Sequence, residues 1–449
     1  MKKTLLTTAC WALLLPVLFA QKGGAGTAAK ATVPTAYSEI DRLSEQVEQK
    51  VIAWRHDLHQ YPELSNREFK TAEKVAQHLR GLGLEVRTGV AVTGVVGILR
   101  TGKPGPTVAL RADMDALPVV ERTKIPWASK EKGEYLGNEV GVMHACGHDT
   151  HVAMLMGAAE VLTRMKSQLK GTVVFVFQPA EEGAPAGEKG GAGLMVEEGV
   201  LDDPKVDVIF GLHINSQTEV GHVRFKPGGT MAAADQFEIK VKGKQTHGST
   251  PWSGIDPVTV AAQIVQGLQM IVARQTELTK EAAVISVGKI SGGVRHNIIP
   301  EEVEIIGTIR TLDTKMQDMI HEKIRLTATN IAEASGATAQ VKIERGVPVT
   351  YNSLELTQAM GPTLKRVAGE DNVLVTRAVT GSEDFSFFAN KIPGLFLFLG
   401  GMPKGMNPAD SAPHHTPDFY VDDSGMKLGV RLLANLTMDY INAPLVFNR

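Results

Sequence analysis

Several clusters of histidine, cysteine and acidic residues lie next to apolar segments that have the pattern of β-strands. In chain order these clusters are residues 111–118 (RADMDALP), 143–151 (MHACGHDTH), 178–183 (QPAEEG), 211–213 (GLH) and 414–419 (HHTPDF). Thiolate, imidazole and carboxylate groups together suit borderline divalent cations such as Zn²⁺, whereas clusters of oxygen ligands alone would indicate Mg²⁺ or Ca²⁺. The side-chain types therefore predict a divalent metal site built from segments that are far apart in the chain.

Each cluster taken alone also has an ordinary structural explanation. Asp113 and Asp115 could be turn-forming acids, His213 could be a hydrogen-bonded core histidine, and Glu181 with Glu182 could be a solvated pair. Two adjacent carboxylates at the end of an apolar strand are harder to explain in this way, because burying unpaired charge is costly and a cation would neutralise it. The occurrence of five such clusters together favours the metal site.

The elements that must position these clusters follow an α/β pattern. Apolar strands are predicted at residues 94–99, 107–111, 172–178, 206–212 and 394–399, and helices at 38–60, 68–82, 151–165 and 193–198. Continuous apolar strands that alternate with helices indicate a mostly parallel sheet covered on both faces. Ligands of such sheets bind beyond the carboxyl ends of the strands, which is where these clusters are expected to lie.

The pattern changes within residues 229–345. The order there is strand, helix, two strands, helix and strand, at residues 235–241, 257–274, 284–290, 303–310, 314–335 and 338–344. This is the order of a ferredoxin-like α+β fold. We expect a lid or dimerisation domain at 229–345, inserted into a catalytic domain made of residues 37–228 and 346–449.

The N-terminal residues predict export. Lys2 and Lys3 precede an apolar segment that ends at Phe19, and the small Ala20 follows, which is the layout of a cleaved signal peptide over residues 1–20. Residues 21–36 are small and polar and are interpreted as a linker. The apolar segment is short for a membrane span, so we expect none after processing, although an uncleaved anchor is the alternative.

Composition narrows the function classes. A chain of 449 residues is too long for one hydrophobic core, so two domains are expected. The 47 basic and 49 acidic residues give a net charge of −2 and no electrostatic reason to expect nucleic acid as a partner. Of the two cysteines, only Cys146 would remain in the processed chain, where its histidine and acidic neighbours favour a metal-binding thiolate.

Motifs along nearly the whole processed chain resemble one enzyme family. Besides the five clusters, the last of which contains 415–417 (HTP), they are residues 58–64 (LHQYPEL), 247–251 (HGSTP), 297–300 (NIIP), 307–310 (GTIR) and 381–386 (GSEDFS). Residues 53–436 resemble the dinuclear metallo-amidohydrolases, which include hippurate hydrolases, N-acyl-L-amino acid amidohydrolases and hydrolases of auxin–amino acid conjugates. The resemblance implies hydrolysis of the amide bond of N-acyl-L-amino acids or related small amides, through a metal-bridged water.

The resemblance also implies site residues. Two divalent cations, Zn²⁺ or Mn²⁺ with Co²⁺ or Ni²⁺ as further choices, would be held by Cys146, His148, Glu182, His213 and His415. Glu181 matches the general base, and Asp115 matches the acid that orients a metal-bound histidine. The wider clan has a histidine ligand at the position of Asp113, which His148 would replace here.

Three residues of the inserted domain are implied at the active site, His247 as a catalytic residue that stabilises the oxyanion and the other two in substrate binding. His247 matches a histidine that reaches the active site of a neighbouring subunit, which implies a homodimer formed through the lid. Asn297 and Arg310 match residues that hold the substrate carboxylate. Two other readings stay open: a dipeptidase or aminopeptidase of the same clan, and an exported metal-binding protein without catalysis.

Overall fold

The computed structural model describes residues 35–447, so the predicted signal peptide and most of the predicted linker lie outside the described residues. The first helices are α1 (Thr35–Gln60), α2 (Phe69–Gly81), α3 (His148–Arg164) and α4 (Gly191–Glu197). Helix α1 begins three residues before the predicted start at Ser38 and so includes the last two residues assigned to the linker. Its residues Ile40, Leu43 and Val47 are buried, as their helical spacing predicts.

The strands before residue 232 include the two that end within the acidic motifs 111–118 and 178–183. They are β1 (Glu85–Val90), β2 (Gly94–Arg100), β3 (Thr107–Asp113), β4 (Lys132–Tyr135), β5 (Asn138–Gly141), β6 (Thr172–Gln178), β7 (Val208–Glu219), β8 (Val223–Phe225) and β9 (Gly228–Met231). The predicted strands 107–111 and 172–178 are confirmed by β3 and β6. Both strands are buried almost throughout, which explains why they are apolar along their whole length.

Residues 233–347 form a second sheet with two long helices. The elements are β10 (Ala233–Lys242), β11 (Thr246–His247), α5 (Pro257–Met270), β12 (Ala283–Gly292), β13 (Ile298–Ile299), β14 (Glu302–Thr311), α6 (Thr314–Ala334) and β15 (Thr338–Val347). The side chains of Asp256 and Asp313 accept hydrogen bonds from the first turns of α5 and α6, which fixes where these helices begin. Helix α5 ends at Met270 rather than at the predicted residue 274, because a π-helical turn follows it.

The rest of the chain returns to the first domain. Its elements are β16 (Thr350–Asn352), α7 (Leu354–Ala368), β17 (Val373–Val375), α8 (Ser386–Ala389), β18 (Gly394–Met402) and α9 (Met426–Asn442). Among residues 35–447, no helix is both long enough and apolar enough to cross a membrane.

The central sheet is mixed with a parallel middle. Within the described residues eight strands follow the order β1-β2-β6-β3-β7-β18-β8-β17. Strands β6, β3, β7 and β18 are parallel neighbours, which confirms the predicted mostly parallel sheet. Helices α1, α3 and α9 share one large apolar core with the sheet, and α4 and α8 contribute to a second core. The sheet is therefore covered on both faces.

The second sheet has the order β12-β14-β10-β15, and all of its strand pairs are antiparallel. This is the strand order of a ferredoxin-like fold, as the sequence predicts. The alternating residues Phe237, Ile239 and Val241 of β10 are fully buried and share one core with α5 and α6. Each sheet thus has an apolar core of its own.

Candidate metal centre

The predicted clusters meet at the carboxyl ends of the parallel strands. Strand β3 ends at Asp113 and β6 ends at Gln178, so that Asp115 and the Glu181–Glu182 pair follow directly. Two predicted placements are wrong. His213 lies inside β7 rather than after a strand, because β7 continues its pairing with β18 to Glu219. Helix α3 begins at His148 rather than at residue 151, so His148 is its first residue.

The Cys146 thiol lies at the centre of the cluster. Its Sγ is 3.4 Å from His213 Nε2 and 3.3 Å from His415 Nε2. Glu182 Oε1 is 3.1 Å from His415 Nε2 and 3.9 Å from His148 Nε2. Ligand atoms of Cys146, His148 and His213 lie within 4.8 Å of one another, as do those of Cys146, Glu182 and His415. The structure thus brings together all five side chains that the resemblance implies as ligands.

The histidine rings present lone pairs to this cluster. His213 Nδ1 contacts the carbonyl of Ile214 at 2.6 Å, and His148 Nδ1 contacts the carbonyl of Asp115 at 2.9 Å. A carbonyl oxygen only accepts, so each Nδ1 carries a proton, and Nε2 is the ring atom that faces the cluster and could bind a cation. His148 Nε2 is buried and makes no hydrogen bond within the described residues, and the close contact of Glu182 Oε1 is the ion pair with His415 Nε2. These side chains fit a divalent cation, because a cation would occupy the lone pairs that remain unused.

Burial favours the neutral forms of the Cys146 thiol and the His213 ring, whereas the charge of Asp113 raises the pKa of His148 well above 6.5. Burial raises the pKa of the Cys146 thiol well above its usual 9.0, and Glu182 nearby raises that pKa further. Burial also holds the pKa of His213 well below 6.5, and the neighbouring His151 acts in the same direction. A cation bound here would reverse the preference of the thiol, because it stabilises the thiolate directly.

Asp115 does more in the structure than orient one histidine, which is the role that the resemblance implies. Its Oδ1 lies 3.3 Å from His148 Nδ1, but that nitrogen makes its shorter contact with the carbonyl of Asp115 itself. The carboxylate accepts hydrogen bonds from the backbone N–H groups of Glu181 and Glu182, each at 3.0 Å, and from the hydroxyl of Ser65 at 2.7 Å. Asp115 therefore holds the loop that carries the proposed base and a proposed ligand.

Glu68 supports the same loop and was missed from the sequence. Its carboxylate accepts a hydrogen bond from Ala180 N at 2.9 Å and another from the hydroxyl of Thr93 at 2.6 Å. Burial, followed by the nearby charge of Asp115, raises the pKa of Glu68 to about 7. Ala180 has a positive φ of 51°, so the loop needs these contacts to hold a backbone conformation that non-glycine residues rarely adopt. The sequence signal was only an acidic residue at the start of a helix.

A buried arginine balances the acids next to Glu181 and was also missed. Arg111 donates to Asp113 at 2.8 Å, to Glu383 at 2.8 Å and to Asp384 at 3.0 Å, and its side chain is 0% exposed. Carboxylate oxygens of Glu181, Glu383 and Asp384 lie within 4.8 Å of one another. Burial and then Glu383 raise the pKa of Glu181 well above 4.5. The GSEDFS motif was noted in the sequence, but only the fold shows that its acids meet Arg111.

Two further histidines of the motifs are structural in this arrangement. His151 contacts Asp113 through Nδ1 at 2.5 Å, and its Nε2 accepts from the backbone N–H of Ile214 at 2.7 Å. His414 Nδ1 is 3.1 Å from the carbonyl of Cys146, and its Nε2 accepts from Ser216 N at 3.2 Å. Because both nitrogens of each ring already have partners, neither ring offers a free lone pair to a cation.

The implied lid residues lie on the second domain. His247 is exposed in β11 and its Nδ1 accepts from Ser249 N at 3.1 Å, while Arg310 of β14 donates to the carbonyl of Ile309. Asn297 Oδ1 is buried and has no hydrogen-bond partner among the described residues. Within residues 35–447, no hydrogen bond or ion pair joins these three side chains to the Cys146 cluster. Their roles stay predictions.

Comparisons with known proteins agree with this geometry. The sequence profile described as peptidase family M20/M25/M40 matches residues 109–439. Thermostable carboxypeptidase 1 of Saccharolobus solfataricus is 42% identical over 399 residues, which cover 88% of this chain and 97% of that protein. N-acetyl-L-cysteine deacetylase of Bacillus subtilis is 37% identical over 380 residues, 85% of each chain.

One solved structure has both a similar fold and a named metal content. The crystal structure of the Bacillus subtilis YXEP protein, described as a dinuclear metal-binding peptidase from the M20 family, aligns with a TM-score of 0.74 at 33% identity. The alignment covers 89% of this chain and 99% of that chain. The similarity therefore includes both sheets rather than the central sheet alone.

Proposed function

The chain belongs to peptidase family M20/M25/M40, and from this premise we propose that it hydrolyses the amide bond of N-acyl-L-amino acids. It is a metal-dependent hydrolase that acts on amide or peptide bonds. The names of the two relatives compared above, a carboxypeptidase and an N-acetyl-L-cysteine deacetylase, share one chemical feature. Each describes cleavage of an amide whose amine side is an amino acid with a free carboxylate. That feature supports N-acyl amino acids as the substrate class.

One observation carries the proposal. A thiol, three imidazoles and a carboxylate converge around Cys146, and His148 Nε2 is buried there without a hydrogen bond among the described residues. Glu181 lies beside them, with its Oε2 3.9 Å from His148 Nε2. The mixed soft and borderline donors suit Zn²⁺, Co²⁺ or Ni²⁺ better than Mg²⁺ or Ca²⁺, and the resemblance adds Mn²⁺ as a further candidate. We propose that two such cations are held per chain.

The residues of the chain have separable tasks in hydrolysis. Two divalent cations, when bound, polarise the amide carbonyl and make water more acidic. Glu181 accepts the proton of the attacking water and later donates it to the departing amine. Asp115 keeps Glu181 and Glu182 in place through their backbone N–H groups, so that base and ligand do not move relative to each other.

The lid is proposed to recognise the amino acid part of the substrate. Arg310 has a planar guanidinium suited to paired hydrogen bonds with a carboxylate, and the side-chain N–H₂ group of Asn297 can donate to the same carboxylate. His247 is exposed, and we propose that it completes the site of a second subunit in a homodimer, where it stabilises the oxyanion. For residues 1–20 we propose a cleaved signal peptide and export; sequencing the N-terminus of the protein recovered outside the cytoplasm would test the cleavage.

Turnover and metal content must be measured together to test the proposal. Purified protein reloaded with each cation is assayed for amine release from N-acyl-L-amino acids and from free dipeptides. Glu181→Gln is expected to lower kcat about 10²–10⁴-fold and to keep the metal content of the wild type. Glu197→Gln is the matched control, since Glu197 is an exposed acid paired with Lys189 and should retain both turnover and metal.

Each alternative has its own outcome. Release from free dipeptides but not from N-acyl amino acids would establish the dipeptidase or aminopeptidase reading. A wild-type protein that binds cations and releases amine from no substrate would establish the non-catalytic reading. Full activity in Glu181→Gln would exclude Glu181 as the base even if the substrate class is right.

A further inference from the structure

A cavity of about 480 Å³ opens next to the proposed metal ligand Glu182, which forms part of its wall. The wall also has apolar positions, which are Leu64, Ala116, Leu117, Pro118, Ala184 and Pro185. The volume lies inside the range of about 300–1,000 Å³ that is usual for sites that bury drug-sized ligands. An N-acetyl group next to Glu182 would leave most of this cavity to water.

The polar groups of the cavity wall are largely used by the protein itself. Ser65 donates its hydroxyl to Asp115 at 2.7 Å. Arg67 forms an ion pair with Glu188 at 2.7 Å. Glu134 lies at the exposed rim. A ligand that enters this cavity therefore meets a mixed surface whose larger part is apolar, and Ser65 and Arg67 already have partners within the protein.

The rim is formed by the tip of the β4–β5 hairpin. Its two turn residues, Leu136 and Gly137, have positive φ angles of 51° and 76°, the pattern of a type I′ turn. Such turns favour Asn-Gly, because both turn residues have a positive φ, and this left-handed backbone conformation costs energy for most other residues. Leu136 is nevertheless apolar and 72% exposed, and it lines the cavity. An exposed leucine in an unfavourable backbone conformation indicates a role for its side chain at the rim.

The base of the hairpin is fixed against the cavity wall. A Cβ on Gly133 would lie 3.0 Å from Leu64 Cδ1, so the strand packs closely on a residue that also lines the cavity. A Cβ on Gly141 would lie 2.9 Å from Val120 Cγ2. These close approaches hold the hairpin in register over the cavity and place Leu136 at its opening.

We propose that this cavity, with Leu136 at its rim, is the acyl subsite and selects medium-chain or aromatic apolar acyl groups over acetyl. The assignment rests on the proposed function, because it needs a substrate whose amide lies at the Glu182 side of the cavity. The acyl group would cover the exposed surface of Leu136 and displace water from the apolar walls. Each methylene buried in this way is expected to raise kcat/KM about fourfold.

The test uses substrates with one constant amino acid and acetyl, butyryl, hexanoyl, octanoyl or benzoyl as the acyl group. The wild type is expected to show a rising kcat/KM from acetyl to octanoyl. Leu136→Asn is expected to lower the octanoyl-to-acetyl ratio of kcat/KM about tenfold, and to raise the midpoint of thermal unfolding because asparagine suits the turn. Glu139→Gln removes an exposed cross-strand ion pair with Lys132 in the same hairpin and should leave the ratio unchanged.

The outcomes separate this inference from the proposed function. A wild type that cleaves N-acyl amino acids with no dependence on acyl length overturns the acyl subsite and leaves the proposed function intact. An unchanged octanoyl-to-acetyl ratio in Leu136→Asn also overturns it. If sedimentation changes while this ratio does not, the hairpin is a contact between copies of the chain rather than part of the acyl subsite. If no N-acyl amino acid is cleaved while dipeptides are, both the proposed function and the subsite fail.

Discussion

Replacing Asp115 with asparagine exchanges one carboxylate oxygen for an amide N–H₂ group. The change tests whether the Asp115 carboxylate holds the loop that carries Glu181 and Glu182. In the wild type both carboxylate oxygens accept, Oδ1 from Glu181 N and Oδ2 from Glu182 N and the Ser65 hydroxyl. An asparagine has one accepting oxygen, and its amide nitrogen must face one of the two backbone N–H groups. Ser65 can rotate its hydroxyl to accept instead, but a backbone N–H cannot.

The magnitude follows from that mismatch. One buried N–H loses its acceptor in either orientation of the amide, which costs about 1–3 kcal/mol of stability. The lost hydrogen bond should also weaken metal binding and lower activity. Replacing a group that hydrogen-bonds to metal ligands typically lowers metal affinity or activity about 10–100-fold. We therefore expect Asp115→Asn to fold, to unfold at lower urea concentration in the presence of a chelator, and to bind cations at least tenfold more weakly.

The assay separates the structural loss from the loss of metal. Urea unfolding in a chelator measures the hydrogen-bond cost alone, and competition with a chromophoric chelator measures metal affinity. Asp207→Asn is the matched control, because Asp207 accepts one backbone hydrogen bond, from Thr107 at 2.8 Å, at the opposite end of β3. The single accepting oxygen of asparagine can replace it there. Wild-type affinity and wild-type stability in Asp115→Asn would refute the positioning role.

Three further predictions test other parts of the site. Cys146→Ser should lower the metal content per chain as well as activity, since a hydroxyl is a far poorer ligand than a thiolate; two cations per chain by atomic absorption would contradict the assignment. Mixed Glu181→Gln and His247→Ala chains should regain activity through hybrid dimers if His247 acts across subunits, and no recovery would count against a shared site. The raised pKa of Glu68 means that the stability contributed by its protonated form is complete below about pH 4.5 and is lost as the pH rises through about 7. We therefore measure the free energy of unfolding of Glu68→Gln minus that of the wild type, in a chelator. This difference should rise by on the order of 3 kcal/mol from pH 5 to pH 8. If it is the same at both pH values, Glu68 does not titrate in this range.

The strands and the cluster of ligands could be predicted because their signals are local. Strands β3 and β6 are buried on both faces, so they are apolar along their length and their ends are visible where the acids begin. The alternation of Phe237, Ile239 and Val241 predicted β10 because one face of that strand packs on helices and the other does not. Parallel strands bring their carboxyl ends to one edge, which predicted that Asp115 and Glu181 would meet.

The supporting contacts could not be predicted, because they depend on pairings between distant segments. Arg111 and Glu383 are 272 positions apart, and nothing local to either residue indicates the other. The hairpin that carries Leu136 is short and exposed, so its pattern is weak, and its importance depends on the cavity beneath it. The sequence predicts His213 after a strand for a related reason, because the continuation of β7 depends on its pairing with β18, almost 200 residues later.

The distribution of charge around Glu181 and Glu182 favours the binding of divalent cations at this site. Arg111 is shared by Asp113, Glu383 and Asp384, so it has little capacity left for Glu181 and none of its hydrogen bonds goes there. The contacts that neutralise Glu181 and Glu182 come from histidines, and a histidine bears charge only when it is protonated. The pKa values of His148 and His415 are raised, so these rings carry part of the charge that balances the two largely buried carboxylates when no cation is bound. Bound divalent cations would supply that charge, and removing them with a chelator should therefore destabilise this edge of the sheet more than any other part of the described chain.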